Sequence, residues 1–399
     1  MAFLDRLRRK RENYDIWKAV DMYVYEELGT PRITNKHVQD FLVCDIDKTY
    51  LETEFESMLK LAKIAFEDAD EKITVEGAAE YLRAYRWGVH ADLVSNAFDL
   101  EFYPRPLHFV TASPPQLRRV LQEKLALDGL DWSSATFKNQ AYNMKSGRWD
   151  LLRHQIAYKS SAILGLFHYI QPEQQKSMTI LGDNAESDAF IYLGVKLFIE
   201  KKLDEEGYSL YLQKFGVEKQ MAASLIKKTD LAFLAQHNVQ NIYIRQIPSY
   251  QLPLLAPLTD PIFLFQDYCE LSFHSIHAGL IDPCLLEELA RAFHNFYGYS
   301  VQELMDLTQS WIETETASQA SSQTFLDLKA KLASLGAHAQ KGLARTPRRV
   351  TDLTQFAKLE QKEILDLAEQ WRDLVFSARA KNKSKNFVPT CLKPSAVDP

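Results

Sequence analysis

The sequence has few of the features that would tie it to a membrane, to nucleic acid or to an oxidising compartment. No apolar run approaches the roughly 18 residues that a membrane-spanning helix needs. The chain of 399 residues has four cysteines, which are scattered and form no metal-binding pair. The net charge of −6 is unlike that of nucleic-acid-binding proteins, which usually carry a strongly basic region. These absences predict a protein of the reducing cytoplasm that has no nucleic-acid partner.

The N-terminal residues 1–11 also lack the apolar core of a secretory signal. They contain four arginines and one lysine beside Phe3, Leu4 and Leu7. A basic segment of this kind can contact anionic lipid at a membrane surface, and a solvated helix start is the alternative. Peripheral contact is therefore the strongest membrane interaction that the sequence predicts.

Short apolar runs alternate along the chain with segments of helical periodicity. The runs that predict strands cover residues 41–45, 107–110, 178–181 and 241–245. Helical spacing of apolar residues is found at 15–28, 54–85, 115–127 and 155–169. Continuous apolar runs are typical of strands buried on both faces, and their alternation with helices indicates a doubly wound parallel sheet. The sequence therefore predicts an α/β fold.

Composition divides the chain into four regions. They are an N-terminal helical segment at 1–37, an α/β domain at 38–250, a helical region at 251–380 and a disordered tail at 381–399. Within the α/β domain, residues 54–103 are a helical insertion and a candidate cap. The segment from Thr314 to Thr324 is rich in Ser, Thr and Gln and predicts a loop. The C-terminal helices can dimerise, bind a partner protein or pack on the α/β domain, and the sequence leaves these alternatives open.

Residues 41–49 combine a buried strand with acidic side chains at its end. Four apolar residues run into Asp45 and Asp47, and the hydroxyl of Thr49 follows. Ligands of parallel sheets bind outside the carboxyl ends of the strands, where these acids are expected to lie. Two neighbouring carboxylates repel each other unless a cation or a shared proton relieves them. A strand followed by an Asp-rich turn is the alternative, so a functional interpretation needs partners elsewhere in the chain.

Further polar side chains follow the next two predicted strands. Thr111 comes directly after the second strand, with Ser113 as a competing hydroxyl. The third strand runs into Gly182 and Asp183, and Asp188 follows further along. Because the carboxyl ends of parallel strands meet at one edge of a sheet, we expect these side chains to lie beside the first two acids.

A lysine is the remaining component. Lys159 is on the predicted helix before the third strand, where its ammonium group can neutralise carboxylates and phosphoryl oxygens as a point charge. Lys138 and Lys145 compete with it, but they fall in a loop-like stretch further from that strand. A solvated helix lysine is the alternative interpretation of Lys159.

The order and spacing of these components resemble the haloacid dehalogenase superfamily of phosphohydrolases. The resemblance implies that Asp45 is the nucleophile that takes the phosphoryl group. It implies that Asp47 is first the general acid and then the general base. Thr111 and Lys159 would bind the phosphoryl oxygens.

The same resemblance implies a Mg²⁺ cofactor, which prefers hard oxygen ligands. The implied ligands are the Asp45 carboxylate, the Asp47 backbone carbonyl and the Asp183 carboxylate. Asp188 would hold a metal-bound water or orient Lys159, so it completes the set of metal-site residues. Thr49 and Asn184 are expected to be structural helpers that bind the backbone or neighbouring carboxylates.

Finer details resemble one family within this superfamily. They are the strings DIDKT at 45–49, FVTASPPQL at 109–117, ILGDN at 180–184 and IYIR at 242–245. Together they resemble the catalytic domain of the actin-patch-associated phosphatidate phosphatases and their bacterial relatives. The resemblance implies Mg²⁺-dependent removal of phosphate from phosphatidate, which leaves diacylglycerol.

Two alternatives stay open. One is a phosphatase of a soluble phosphorylated metabolite or phosphoprotein, in which residues 54–103 close over the site and exclude a bilayer substrate. The other is a non-catalytic scaffold that recruits partners through its C-terminal helices. A decayed site would be expected to lose Asp47 or Asp183 first, and the chain retains both, which favours an enzyme.

Overall fold

A computed structural model describes most of the chain. The described residues are 14–24, 40–52, 71–87, 105–152, 154–167, 177–229, 234, 236–313, 319–335 and 353–381. The basic N-terminal segment, most of the predicted insertion at 54–103 and nearly all of the predicted tail lie outside these residues.

A seven-stranded sheet forms the centre of the protein. Its strands are β1 (Val20–Val24), β2 (Asp40–Asp45), β3 (Leu107–Val110), β4 (Ser134–Lys138), β5 (Ser177–Asp183), β6 (Asn238–Arg245) and β7 (Ile262–Phe265). The spatial order is β1-β4-β3-β2-β5-β6-β7. Every neighbouring pair is parallel except β1 and β4. The strand that ends at Asp45 is therefore the central one, flanked by β3 and β5.

Helices cover both faces of the sheet. The α-helices are α1 (Ala78–Trp87), α2 (Arg118–Leu127), α3 (Gln140–Lys145), α4 (Ile156–Leu166), α5 (Asp188–Ile199), α6 (Glu205–Lys214), α7 (Lys219–Lys227), α8 (Tyr268–His277), α9 (Leu286–Tyr297), α10 (Val301–Ile312), α11 (Gln319–Ser334), α12 (Thr354–Lys358) and α13 (Gln361–Lys381). On one face, Phe41 and Val43 of β2 belong to a core with α4 to α7 and α13. On the other face, Leu42 and Cys44 belong to a core with α1, α2 and α8 to α11. This architecture confirms the predicted α/β fold with a mainly parallel sheet.

The helix expected over residues 15–28 is wrong in the described part. Ile16–Ala19 form a short 3-10 helix, and Val20–Val24 form β1, which pairs with β4. Val20 and Met22 pack against one core, whereas Tyr23 packs against the other. The same apolar residues fit the period of two that is typical of a strand as well as the period of a helix. Pairing with β4, more than a hundred residues away, selects the strand.

The strand expected over 241–245 is β6, but it is not the last strand. β7 follows it within the region at 251–380 that is predicted to be helical, and its four residues pair with β6. β4 was also not expected, because its sequence SATFK has little apolar content. Both strands are fixed by pairing with the sheet more than by their own composition.

The helices of the C-terminal region pack on the sheet, which is one of the three arrangements left open by the sequence. Helices α8 to α11 cover one face, and α13 covers the other. Trp371 of α13 is fully buried, with its ring 4.4 Å from that of Phe190 and its indole nitrogen donating to the Pro253 carbonyl at 2.8 Å. The loop expected from Thr314 to Thr324 is too long, since α11 begins at Gln319. None of the described helices combines the length and hydropathy that crossing a bilayer requires.

Candidate active site

Two acidic strand ends meet at the centre of the sheet. Asp45 ends β2 and Asp183 ends β5, and these strands are parallel neighbours in which Cys44 pairs with Leu181. Both carboxyl groups are buried. The pairing of two apolar strands thus brings together acids that are far apart in the sequence.

A tight turn after β2 turns the chain back above the sheet. The Ile46 carbonyl accepts hydrogen bonds from the backbone of Tyr50 and Leu51, and Lys48 has a φ of 60°. Arg245 at the end of β6 donates to the Lys48 carbonyl at 2.7 Å. A side chain from a strand two places away therefore fixes the turn that carries Asp47.

Asp47 faces the end of β3. Its Oδ2 atom accepts hydrogen bonds from the Thr111 hydroxyl at 2.9 Å and the Ser113 hydroxyl at 3.2 Å. The Thr111 hydroxyl also accepts a bond from the Ser113 backbone nitrogen at 2.9 Å, which orients it toward Asp47. Both hydroxyls considered in the sequence are present at the site, and both contact Asp47.

Lys159 is the cation of the site. This residue lies on α4 and is completely buried. The Lys159 Nζ atom lies 2.8 Å from Asp45 Oδ1 and 2.6 Å from Asp188 Oδ1. Glu186 Oε2 is 3.5 Å away. The two competing lysines lie elsewhere: Lys138 donates to the carbonyls of residues 152 and 154, and Lys145 is exposed at the end of α3. A buried lysine between carboxylates balances charges that would otherwise be costly to bury.

The segment after β5 holds two acids in a fixed arrangement. Asp183 Oδ1 accepts hydrogen bonds from the backbone nitrogens of Ala185 at 2.5 Å and Glu186 at 3.3 Å. Asp188 Oδ2 accepts from the Tyr192 hydroxyl at 3.1 Å. A Cβ atom at Gly182 would lie 2.6 Å from the Tyr192 ring and closer still to the Asp188 carboxylate. Glycine is therefore required for these side chains to approach the end of β5.

Asp45, Asp183 and Asp188 fit a divalent cation. One carboxylate oxygen from each lies within 4.8 Å of those of the other two, and all three residues are buried. The Asp183 Oδ2 and Asp45 Oδ2 atoms accept no hydrogen bond from the described residues, whereas Asp45 Oδ1 is paired with Lys159. Buried carboxylate oxygens without donors are unfavourable unless a cation binds them, and hard oxygen ligands suit Mg²⁺. The Asp47 side chain points instead to the two hydroxyl groups that follow β3.

The pKa shifts in this cluster reflect burial and mutual repulsion. Burial raises the pKa of Asp183 to about 8, and the charges of Asp188 and Glu186 add to the effect. Burial raises the pKa of Asp45 well above its ordinary value, although Lys159 opposes the shift. Burial disfavours the charged form of Lys159, but Asp188 and Asp45 outweigh it and raise the pKa of the lysine. The cluster has more acidic groups than its single lysine can balance.

We expect the free energy of unfolding of the metal-free protein to fall as pH rises through neutrality. In the unfolded chain Asp183 loses its proton near its ordinary pKa of about 4, whereas the folded protein keeps the proton up to about pH 8. Between these values the unfolded state binds fewer protons, so stability decreases with pH, and above pH 8 the contribution is constant. Urea denaturation in a chelator at about pH 5 to 9 should show a shallower fall for Asp183→Asn than for the wild type. Equal slopes for the two proteins would contradict this assignment.

The structure brings all six predicted site residues to one place. It corrects, however, the role predicted for Thr49. The Thr49 hydroxyl is buried and forms no hydrogen bond with the described residues, so it does not bind the backbone or a carboxylate as expected. Asn184 does act as a helper: its amide donates to the Tyr250 carbonyl at 2.8 Å and accepts from the Ile247 nitrogen at 2.7 Å.

The sequence interpretation missed residues that support the site from outside its motifs. Arg379 of α13 donates to the carbonyls of Asn184 at 2.8 Å and Glu186 at 3.2 Å, which fixes the loop that follows Asp183. No sequence spacing indicates this contact, since the residues are almost two hundred positions apart. Glu186 could have been found, because it is an acid between the two aspartates of its motif.

Buried acids and a lysine thus lie together at the carboxyl ends of parallel strands. Residues 41–201 match the family model described as phosphatidate phosphatase APP1, catalytic domain. This match covers β2 to α5, contains every predicted site residue, and confirms the resemblance inferred from the motifs. Comparisons with curated proteins and with solved structures gave no match.

Proposed function

We propose that the protein is a Mg²⁺-dependent phosphomonoester hydrolase of the haloacid dehalogenase type, with phosphatidate or a related phospholipid as its substrate. The main support is the position of Asp45, whose buried carboxylate lies beside Lys159 and two further acids in the region that matches the family model. A buried carboxylate with a cation 2.8 Å away is arranged to receive a phosphoryl group.

In the first step a carboxylate oxygen of Asp45 attacks phosphorus, and the bond from phosphorus to the alcohol oxygen breaks. Asp47 gives its proton to that oxygen, so the alcohol leaves uncharged. Lys159 balances negative charge on the phosphoryl oxygens throughout. Bound Mg²⁺, held by Asp45, Asp183 and the Asp47 carbonyl, would supply further charge compensation.

In the second step Asp47, now a carboxylate, takes a proton from water, and the water oxygen attacks phosphorus. The acyl phosphate bond breaks, phosphate leaves, and the Asp45 carboxylate is restored. Thr111 and Ser113 support both steps because their hydroxyls hold Asp47 Oδ2 in place. A hydrogen bond from Thr111 to a phosphoryl oxygen remains a prediction.

The first experiment measures phosphate release from phosphatidate in mixed micelles and from an aryl phosphate, each with Mg²⁺ and with a chelator. We expect Mg²⁺-dependent release from both esters and a preference for phosphatidate. Asp47→Asn should slow phosphate release from phosphatidate more than release from the aryl ester. The phenol of an aryl ester can leave without a proton donor, whereas the alcohol of phosphatidate needs one. Asp366→Asn on the exposed side of α13 is the matched control and should behave as the wild type.

The outcomes separate the proposal from its alternatives. Release from the aryl ester alone would favour a phosphatase of a soluble metabolite or phosphoprotein, whose cap would have to come from the 54–103 segment. Release from neither ester by a folded protein would favour a non-catalytic scaffold. Release that persists in the chelator would contradict the role of Mg²⁺.

A further inference from the structure

The last turns of α13 lie against the loop that follows Asp183. Trp371 fixes this helix in the core, and Arg379 comes about 12 Å further along it. The Arg379 guanidinium donates to the carbonyls of Asn184 at 2.8 Å and Glu186 at 3.2 Å. A packed helix therefore presents this arginine to the loop in a defined position.

The same loop holds the Asp183 carboxylate with its backbone amides. Asp183 Oδ1 accepts hydrogen bonds from the nitrogens of Ala185 at 2.5 Å and Glu186 at 3.3 Å. The Asn184 carbonyl and the Ala185 nitrogen are parts of one peptide group. In a planar trans peptide the C=O and N–H bonds point in opposite directions. One rigid peptide thus joins the arginine on one side to the Asp183 carboxylate on the other.

This arrangement determines which Asp183 oxygen can bind a cation. Two amides occupy Oδ1, whereas Oδ2 accepts no hydrogen bond from the described residues and is the atom left for a metal ion. A positive charge at the carbonyl oxygen of a peptide also strengthens its N–H group as a donor. Rotation of the 184–185 peptide would break the bond to Arg379 and the bond to Asp183 together, and the carboxylate would lose its fixed orientation.

Arg379 lies outside the region that matches the family model, which ends at residue 201. Asn184 is also anchored from β6, since its backbone nitrogen donates to the Arg245 carbonyl at 3.0 Å. The Glu186 carbonyl, further along the loop, is held by Arg379. The C-terminal helix thus contributes to the geometry of a metal ligand that belongs to the matched region.

We propose that Arg379 is a positioning residue for the metal ligand Asp183, and that α13 thereby sets the affinity of the site for a divalent cation. The inference rests on the Mg²⁺ dependence of the proposed function, and it assigns part of the control of that site to the C-terminal helical region. Loss of a group that orients a metal ligand typically weakens metal binding about 10–100-fold.

The experiment measures binding of Mg²⁺ alone by calorimetry to the wild type, Arg379→Gln and Arg379→Lys. We expect Arg379→Gln to raise the Kd about tenfold or more, because the two carbonyls lose their charged donor. Arg379→Lys keeps the charge without the planar fork and should recover part of the affinity. The rise in thermal midpoint on addition of Mg²⁺ should shrink in the same order as binding weakens. An unchanged Kd in Arg379→Gln would overturn the inference.

Arg372→Gln is the matched control on the same helix. Arg372 also donates to a backbone carbonyl, that of Lys214 at 3.0 Å, which lies at the end of α6 and not in the loop after Asp183. The Kd of this variant for Mg²⁺ should equal that of the wild type. An equal rise in Kd for both glutamine variants would assign the effect to a general loosening of α13 and would contradict a specific role of Arg379.

Phosphate release measured over a range of Mg²⁺ concentrations separates the inference from the proposed function. Arg379→Gln should need more Mg²⁺ for half-maximal release, whereas its kcat at saturating Mg²⁺ should stay close to that of the wild type. Weaker Mg²⁺ binding by Arg379→Gln, with no ester hydrolysed by either protein, would support the positioning role and contradict the proposed function. Hydrolysis with the same Mg²⁺ dependence in both proteins would do the reverse. A wild type that binds no Mg²⁺ would overturn both.

Discussion

Asp45→Asn is expected to lower Mg²⁺-dependent phosphate release by about 10⁴-fold or more and to leave the protein folded. An amide oxygen is a poor nucleophile, so no covalent phosphoryl intermediate forms, and loss of a nucleophile has effects of this size in other hydrolases. The substitution keeps the shape of a side chain that is 1% exposed. It removes a carboxyl group whose pKa is raised by burial, so no buried negative charge is left at this position. The thermal midpoint should therefore stay within a few degrees of that of the wild type.

The measurement compares phosphate release and thermal unfolding for the wild type, Asp45→Asn and Asp366→Asn. Asp366→Asn makes the same chemical change at an exposed position of α13 and controls for loss of a carboxylate in general. Activity of Asp45→Asn within tenfold of the wild type would assign the nucleophile to another residue. A large loss of stability would mean that the ion pair with Lys159 has a structural role that outweighs the cost of its burial.

Lys159→Met should have the largest effect on stability. Its ammonium group lies within 2.8 Å of two buried carboxylates, and without it Asp45 and Asp188 remain buried with no balancing charge. Removal of one partner from a buried ion pair typically costs ~3–5 kcal/mol of unfolding free energy. Methionine fills a similar volume, so the loss of stability reflects the removed charge more than a change in packing.

Urea denaturation in a chelator, for the single variants and for the double variant Lys159→Met with Asp188→Asn, measures this coupling. The double variant should regain part of the stability, because it buries one carboxylate fewer. Lys196→Met is the matched control: Lys196 is also buried, but its acidic partner Glu200 is partly exposed and can remain hydrated. If Lys159→Met loses no more stability than Lys196→Met, the charges of Asp45 and Asp188 are not coupled to that of Lys159.

Much of the sheet could be predicted because its central strands are long apolar runs. β2, β3, β5 and β6 occur where the sequence predicts strands, since burial on both faces leaves a continuous apolar pattern. The edge strands carry a weaker pattern. β1 fits a helical period as well as a strand period, and β7 has only four residues between prolines and a helix start, so pairing with distant residues decides both.

The predicted site residues could be found in the sequence for a different reason. Each of Asp45, Asp47, Thr111 and Asp183 lies at or just after the end of a predicted parallel strand, and such ends converge. The supporting contacts were not predictable, because Arg245 and Arg379 reach the site through tertiary packing alone. The segment at 54–103, on which the choice between substrates partly depends, lies mostly outside the described residues.

The position of α13 has a consequence for how the enzyme is made. Trp371 completes the core on one face of the sheet, and Arg379 holds the loop that follows Asp183. During translation the five strands from β2 to β6 emerge first, while the helix that completes their core is still to be synthesised. The nascent chain should therefore expose an apolar face until α13 has been synthesised. A message truncated before α13 would yield a product that contains every predicted site residue and is a target for chaperones and proteases.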